Sequence, residues 1–159
     1  MKINDAILAI VSTSGKVEGR KRLQKMVHLV KQSGADIPVA FRIHHYGPFS
    51  EDVANSAEMM VFEGELEEDI EKAGPYDTFQ YLYSTKRTPS VSSKLREMIM
   101  KLNQYSTVEL EVASTIAFFQ AEGLDHDKAV EQAKVLKPKK TTSRVLGRSE
   151  EILQLVGAR

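Results

Sequence analysis

Phe41-Arg-Ile-His-His-Tyr-Gly-Pro-Phe-Ser-Glu-Asp-Val-Ala-Asn-Ser-Ala-Glu-Met-Met-Val-Phe-Glu-Gly64 changes its period halfway along, and that change decides the fold. From Phe41 to Tyr46 β-forming residues alternate with polar ones, which is the two-residue period of a short strand. Gly47-Pro48 is expected to end the strand, since proline brings no backbone donor and glycine adopts turn conformations. After Ser50 the period becomes helical. Val53, Ala57, Met60 and Val61 fall on one face at 3.6 residues per turn, Ser50 is a capping residue type, and Glu51 and Asp52 suit the positive end of a helix dipole. Gly64 marks the stop.

Towards the N-terminus, Ile3, Ala6, Ile7 and Ile10 predict a first helix over about 4–12, broken at Gly15. Leu23, Met26, Val27 and Val30 predict a second between Gly19 and Gly34, whose other face carries Arg20, Lys21, Arg22, Lys25 and Lys31. On the other side, Leu66 to Lys72 and Thr78 to Ser84 predict two strands around the turn Ala73-Gly74-Pro75, with Phe79, Tyr81 and Tyr83 on one side. Helix, basic helix, strand, helix and hairpin is the order of a winged helix-turn-helix, expected here over residues 1–88.

The rest reads as helices. Thr88-Pro89 predicts a cap followed by proline at the first helical position, ahead of the stripe Val91, Leu95, Met98, Ile99 and Leu102. Ser106-Thr-Val-Glu109 fits a capping box and opens a helix through Phe119 that is apolar on most sides, as a central buried helix would be. Asp125 caps a further helix to about Leu136, closed by Lys137-Pro138, and a last helix carries Val145, Ser149, Ile152, Leu153 and Val156. Residues 89–159 are therefore expected to form a C-terminal helical extension packed on the winged core as one compact unit. The fold class is mostly α with a small β-hairpin (α+β), and pairing of two copies through residues 106–156 is expected.

Composition narrows the function. The 159 residues include no cysteine, which rules out disulfides, thiol nucleophiles and thiolate metal sites and fits a reducing cytoplasm. No apolar run approaches the roughly 18–20 residues of a membrane span, and residues 1–11 do not resemble a secretory leader. The 22 basic and 22 acidic side chains cancel, but in blocks: residues 1–48 hold eight Lys/Arg against three Asp/Glu, and residues 49–77 hold one against ten. A zero total argues against a polyanion binder, while the basic blocks keep one open.

Gly19-Arg-Lys-Arg-Leu-Gln-Lys25, Tyr46-Gly-Pro-Phe-Ser-Glu-Asp-Val-Ala54 and Glu63-Gly-Glu-Leu66 resemble the YwgA-like proteins of bacteria and archaea, and more distantly the SocA-like antitoxin domain. The resemblance continues through Leu110 to Gly123 and Leu136-Lys-Pro-Lys139. It implies the winged fold. For function, the first likeness implies a transcriptional regulator and the second a protein partner.

Two readings follow. In the first, the protein is a DNA-binding regulator of winged-helix type: Lys16, Arg20, Lys21, Arg22 and Lys25 meet phosphates of a duplex, Lys139, Lys140 and Arg144, beside Lys137 and Arg148, form a second contact, and Asn55 faces the bases. Against it, the third helix would present Glu51, Asp52 and Glu58 to the groove, and the acidic run Glu63 to Glu71 falls on the wing. The alternative is a protein-binding adaptor or antitoxin-like module, with Glu58, Met59 and Phe62 as contacts, although Phe62 is expected to be buried. Tyr46-Gly-Pro-Phe49 reads as structural, with Gly47 and Pro48 setting a turn and Tyr46 and Phe49 packing on the core. His44 and His45 point to opposite faces of a strand, so no metal site is expected. No G-x-S-x-G, P-loop or G-x-G-x-x-G frames a nucleophile or a cofactor, and neither catalysis nor a cofactor is expected.

Overall fold

The computed structural model describes residues 1–75 and 78–158. Its elements are α1 (Ile3–Ser14), β1 (Val17–Glu18), α2 (Arg20–Gln32), β2 (Arg42–His44), β3 (Gly47–Phe49), α3 (Glu51–Phe62), β4 (Glu67–Ala73), β5 (Thr78–Ser84), α4 (Ser93–Leu102), α5 (Thr107–Ala121), α6 (His126–Leu136) and α7 (Ser143–Leu155). Helices dominate, with two small antiparallel sheets, so the fold is mostly α within the α+β class.

Caps set most helix starts. The Ser50 side chain accepts from the Val53 amide, Asp125 from Lys128 and Thr142 from Val145. At α5 the capping box is complete, with Ser106 accepting from the Glu109 amide while Glu109 accepts from the Ser106 amide. α4 departs from expectation. Its cap is Ser92, which accepts from Leu95, so the chain from Thr88 to Val91 is not helical. A proline at position 89 biases Thr88 to extended backbone, and Ser92 offers the first hydroxyl cap ahead of the apolar turn that packs.

Two strands differ from the expected pattern. β1 is only two residues long, too short to show a period, yet it extends the β4–β5 hairpin into a three-stranded sheet ordered β1-β5-β4, with Val17 opposite Tyr83. Gly47-Pro48-Phe49 does not end a strand but is one. It pairs back on β2 with Ile43 opposite Pro48, and the turn is His45-Tyr46. Proline is tolerated there because a two-stranded ribbon leaves outer amides unpaired.

The interior is organised by α5, whose residues Glu109 to Ala117 are all buried. It packs on α2, α6, α7 and β3. Leu110 and Ala113 join the main core with Ile7, Met26, Val53 and Ile99, while Val112, Ile116 and Ala117 pack with Ala129, Ala133 and Leu153. Both apolar sides of α5 are thus covered by its own chain. The apolar side chains of residues 106–156 still exposed include Val135 and Leu136 at the end of α6. α4 returns against α1 and α2, which joins the C-terminal helices to the N-terminal ones. No helix among the described residues is long and apolar enough to cross a membrane.

Candidate functional site

Glu111 sits in the buried middle of α5, 1% exposed. A carboxylate taken out of water costs several kcal/mol unless cations and donors replace the solvent. Lysines from separate parts of the chain do so. Lys140 Nζ lies 2.7 Å and Lys137 Nζ 3.4 Å from Glu111 Oε2, and Lys21 Nζ lies 3.6 Å from Oε1. Lys25, also 1% exposed, adds a fourth nearby charge, and its Nζ donates to the Pro48 carbonyl at 2.7 Å. Burial pushes the Glu111 carboxyl up, but the Lys140 hydrogen bond and the charges of Lys137, Lys140 and Lys21 together hold it below the usual carboxylate range. For Lys25 burial wins. It lowers the ammonium to about 7, with the other three lysines adding to the drop and Glu111 opposing it. Four lysines surround one carboxylate.

This cluster fastens the β2–β3 hairpin to α5. Besides the Lys25 bond to Pro48, Lys137 Nζ donates to the His45 carbonyl at 2.8 Å. Gly47 lies so close to α5 that a Cβ there would stand 3.0 Å from Thr115 Oγ1 and 3.4 Å from both Glu111 Cγ and Lys25 Cε, and its φ is +90°. Tyr46 does not pack on the core as expected. Its exposed ring lies 4.3 Å from Lys21 Nζ and 5.3 Å from Lys140 Nζ, in cation–π contact. Phe49 is half-buried and stacks on His44 at 4.8 Å. The sequence signal for the cluster was a single one, Glu111 within an otherwise apolar stretch of helix.

The expected phosphate contacts do not share a face. Arg22, 8% exposed, donates to Thr107 Oγ1 at 3.2 Å and to the Asn103 carbonyl at 2.9 Å, tying α2 to the α4–α5 junction. Arg22 and Lys25 are therefore interior groups, because α5 covers the side of α2 that was expected to be solvated. Arg20 lies over the Tyr81 ring at 3.8 Å and pairs with Glu68 at 3.4 Å. Lys21 and Lys140 belong to the Glu111 cluster. Lys16, Lys139 and Arg144 are exposed, and Lys16 and Arg144 border a wide polar cleft of about 1310 Å³ with Arg22 and Arg148. Arg148 is itself paired with Glu109 and Glu151.

α3 is different. Its start is held to α2 by Gln24, whose side-chain nitrogen donates to the Ser50 carbonyl and whose oxygen accepts from the Ser50 amide, both at 2.9 Å. Its outward face presents Asn55, Glu58, Met59 and Phe62 to solvent, Met59 at 54% and Phe62 at 87% exposure. The expected burial of Phe62 is overturned, because the inward turn of α3 is already filled by Val53, Ala57 and Met60. Glu51, Asp52 and Glu63 are exposed around it. On the β4–β5 hairpin, Ile70 and Lys72 stand opposite Tyr81 and Phe79, and both Ile70 and Phe79 are exposed. Between α2, α3, the β2–β3 hairpin and the β4–β5 hairpin lies a cleft of about 570 Å³. Its floor is apolar, and Lys21 and Lys25 lie along it.

Among the described residues no group of three or more His, Cys, Asp or Glu side chains is placed to hold a metal. His28 is enclosed, its ring 4.8 Å from that of Phe41, and burial lowers it to about 3.

The fold and this surface define a mostly helical α+β protein with a buried lysine–glutamate cluster and an outward apolar helix face. The chain belongs to the YwgA family. It is 32% identical over 147 residues to the uncharacterized protein YwgA of Bacillus subtilis (strain 168), which covers 87% of this chain and 86% of that one. No family model and no solved structure matches the chain.

Proposed function

We propose that the chain is a winged helix-turn-helix module that recognises a protein, through the outward face of α3 and the adjoining wing. The winged reading is supported by element order, by β1 joining the hairpin as a third strand, and by the clamp between α2 and α3. The protein reading rests on one observation above all: Met59 and Phe62 are exposed on a helix face ringed by Glu51, Asp52, Glu58 and Glu63. Isolated exposed apolar residues are ordinary, but two on one helix face make an anchor surface, and the wing exposes Ile70 and Phe79 as well. Its acidic border selects a partner segment with apolar side chains flanked by Lys or Arg. The likeness to SocA-like domains supports the same direction.

DNA binding is the second reading, supported by the winged order and by exposed Lys16, Lys139 and Arg144. It would put carboxylates of α3 and of the wing residues Glu67, Asp69 and Glu71 towards phosphates, while Arg22 and Lys25 are held inside. Affinity capture from source cells followed by titration of the purified partner separates the two. Phe62→Ala with Met59→Ala is expected to weaken the partner by at least about tenfold, and Arg20→Gln with Lys21→Gln by much less. Duplex binding that falls steeply with salt, with a slope reduced by Lys16→Gln and Arg144→Gln, would replace the protein reading with the DNA one.

A further inference from the structure

We infer that the cleft between α2, α3, the β2–β3 hairpin and the wing binds a small organic anion with an apolar body, such as an aromatic or branched-chain carboxylate. A volume of about 570 Å³ suits a ligand of that size, and the walls divide by chemistry. Leu23, Phe49, Val53, Ala57 and Val61 offer an apolar floor. At one end stand Lys21 and Lys25, whose surroundings hold an excess of positive charge: these two, Lys137 and Lys140 face the single carboxylate of Glu111. At the other end Arg20 and Glu68 pair with each other and leave no such excess. Glu111 is shared, since Lys140 and Lys137 lie closer to it than Lys21 does. An anion beside Lys21 and Lys25 supplies the missing counter-charge, and in a partly enclosed site such a charge-assisted bond is stronger than at the surface. Gly47 also lines the cleft and packs closely against α5. Any side chain there would press on Lys25 and Thr115.

The cleft shares Glu58 and the β4–β5 hairpin with the surface proposed for the partner but needs no partner to bind a small anion, so it is tested by ligand binding alone. The chain has no tryptophan, which leaves naphthyl fluorescence free of interference. The full chain is titrated with 2-naphthoate and with the neutral 2-naphthalenemethanol. Naphthoate is expected to bind about tenfold more tightly than the alcohol, the worth of one charge-assisted hydrogen bond. Lys25→Met and Lys21→Met should each remove most of that preference while leaving the alcohol unchanged. Ala54→Phe, which fills the cleft from its α3 wall, should abolish saturable binding of both, with far-UV circular dichroism showing the fold intact. Equal binding of the two probes, no saturable naphthoate binding below millimolar concentration, or naphthoate binding that survives Ala54→Phe would each overturn the inference.

Discussion

α2 and α3 pack side by side with opposite treatment of their polar residues. α2 carries five cations, yet Arg22 and Lys25 are buried, Arg20 is paired and stacked, and Lys21 leans on Glu111 and Tyr46. α3 leaves its carboxylates and two large apolar side chains in water. The charge written along a helix is therefore not the charge it shows. What α2 shows is decided by α5, which lies some 85 residues further along the chain at the Arg22–Thr107 contact.

The largest test of this contrast is Glu111→Gln. It removes the one carboxylate among four lysines, and breaking a buried ion cluster by deleting a partner costs about 3–5 kcal/mol. Urea denaturation should show that loss for Glu111→Gln and none for Glu58→Gln on α3. A cost below about 1 kcal/mol would mean the cluster does not hold α2 and the hairpin to α5. Gly47→Ala comes next, since it combines a φ of +90° with a Cβ 3.0 Å from Thr115 Oγ1. Together these should cost about 2–3 kcal/mol, read as a lowered denaturation midpoint without a change of slope.

Lys25 gives the contrast a pH dependence. Folded, it loses its proton at about 7, against an ordinary value of 10.5. Between those values the unfolded chain holds a proton that the folded chain lacks, so this group makes stability rise with pH across the window. Its destabilising effect grows as pH falls from 10.5 to 7 and is complete below 7. Lys25→Met should therefore gain on the parent, on the order of 3 kcal/mol, between pH 10 and pH 7. A mutant whose stability runs parallel to the parent over that range would place the Lys25 charge in contact with water.

The smallest expected effect on stability is at Phe62. Phe62→Ser should change the unfolding free energy by no more than about 0.5 kcal/mol, because an exposed side chain leaves no cavity. If α3 docks a partner, the same substitution lowers partner affinity at least about tenfold. Large destabilisation with unchanged partner affinity would reverse the roles given to the two helices.

Local chemistry made much of the fold legible. Ser50, Ser106 with Glu109, and Asp125 act three residues along the chain, and all three caps stand where their spacing put them. Leu23, Val27, Val53, Met60 and Ile116 are in the interior, and Leu95 and Met98 lie at its edge, partly buried against it. What was not legible depends on partners far along the chain. β1 exists because Val17 and Glu18 meet Tyr83 and Leu82, and nothing in two residues announces that. Gly47-Pro48-Phe49 looks like a stop until Lys25 and Lys137 take the carbonyls of Pro48 and His45. The exposure of Phe62 escaped for a related reason: periodicity says which residues share a face, not whether another element covers it.

The bond from the Ser50 amide to Gln24 Oε1 also makes a reporter. That amide is buried, and its partner is a side chain of the neighbouring helix rather than a carbonyl of its own. It exchanges its hydrogen with solvent only when α2 and the start of α3 part, whereas amides deeper in α3 are held by α3's own ladder. Gln24 also lines the cleft, so a single backbone resonance, followed in deuterated water, times the breathing of that seam and would slow when anything bridges it.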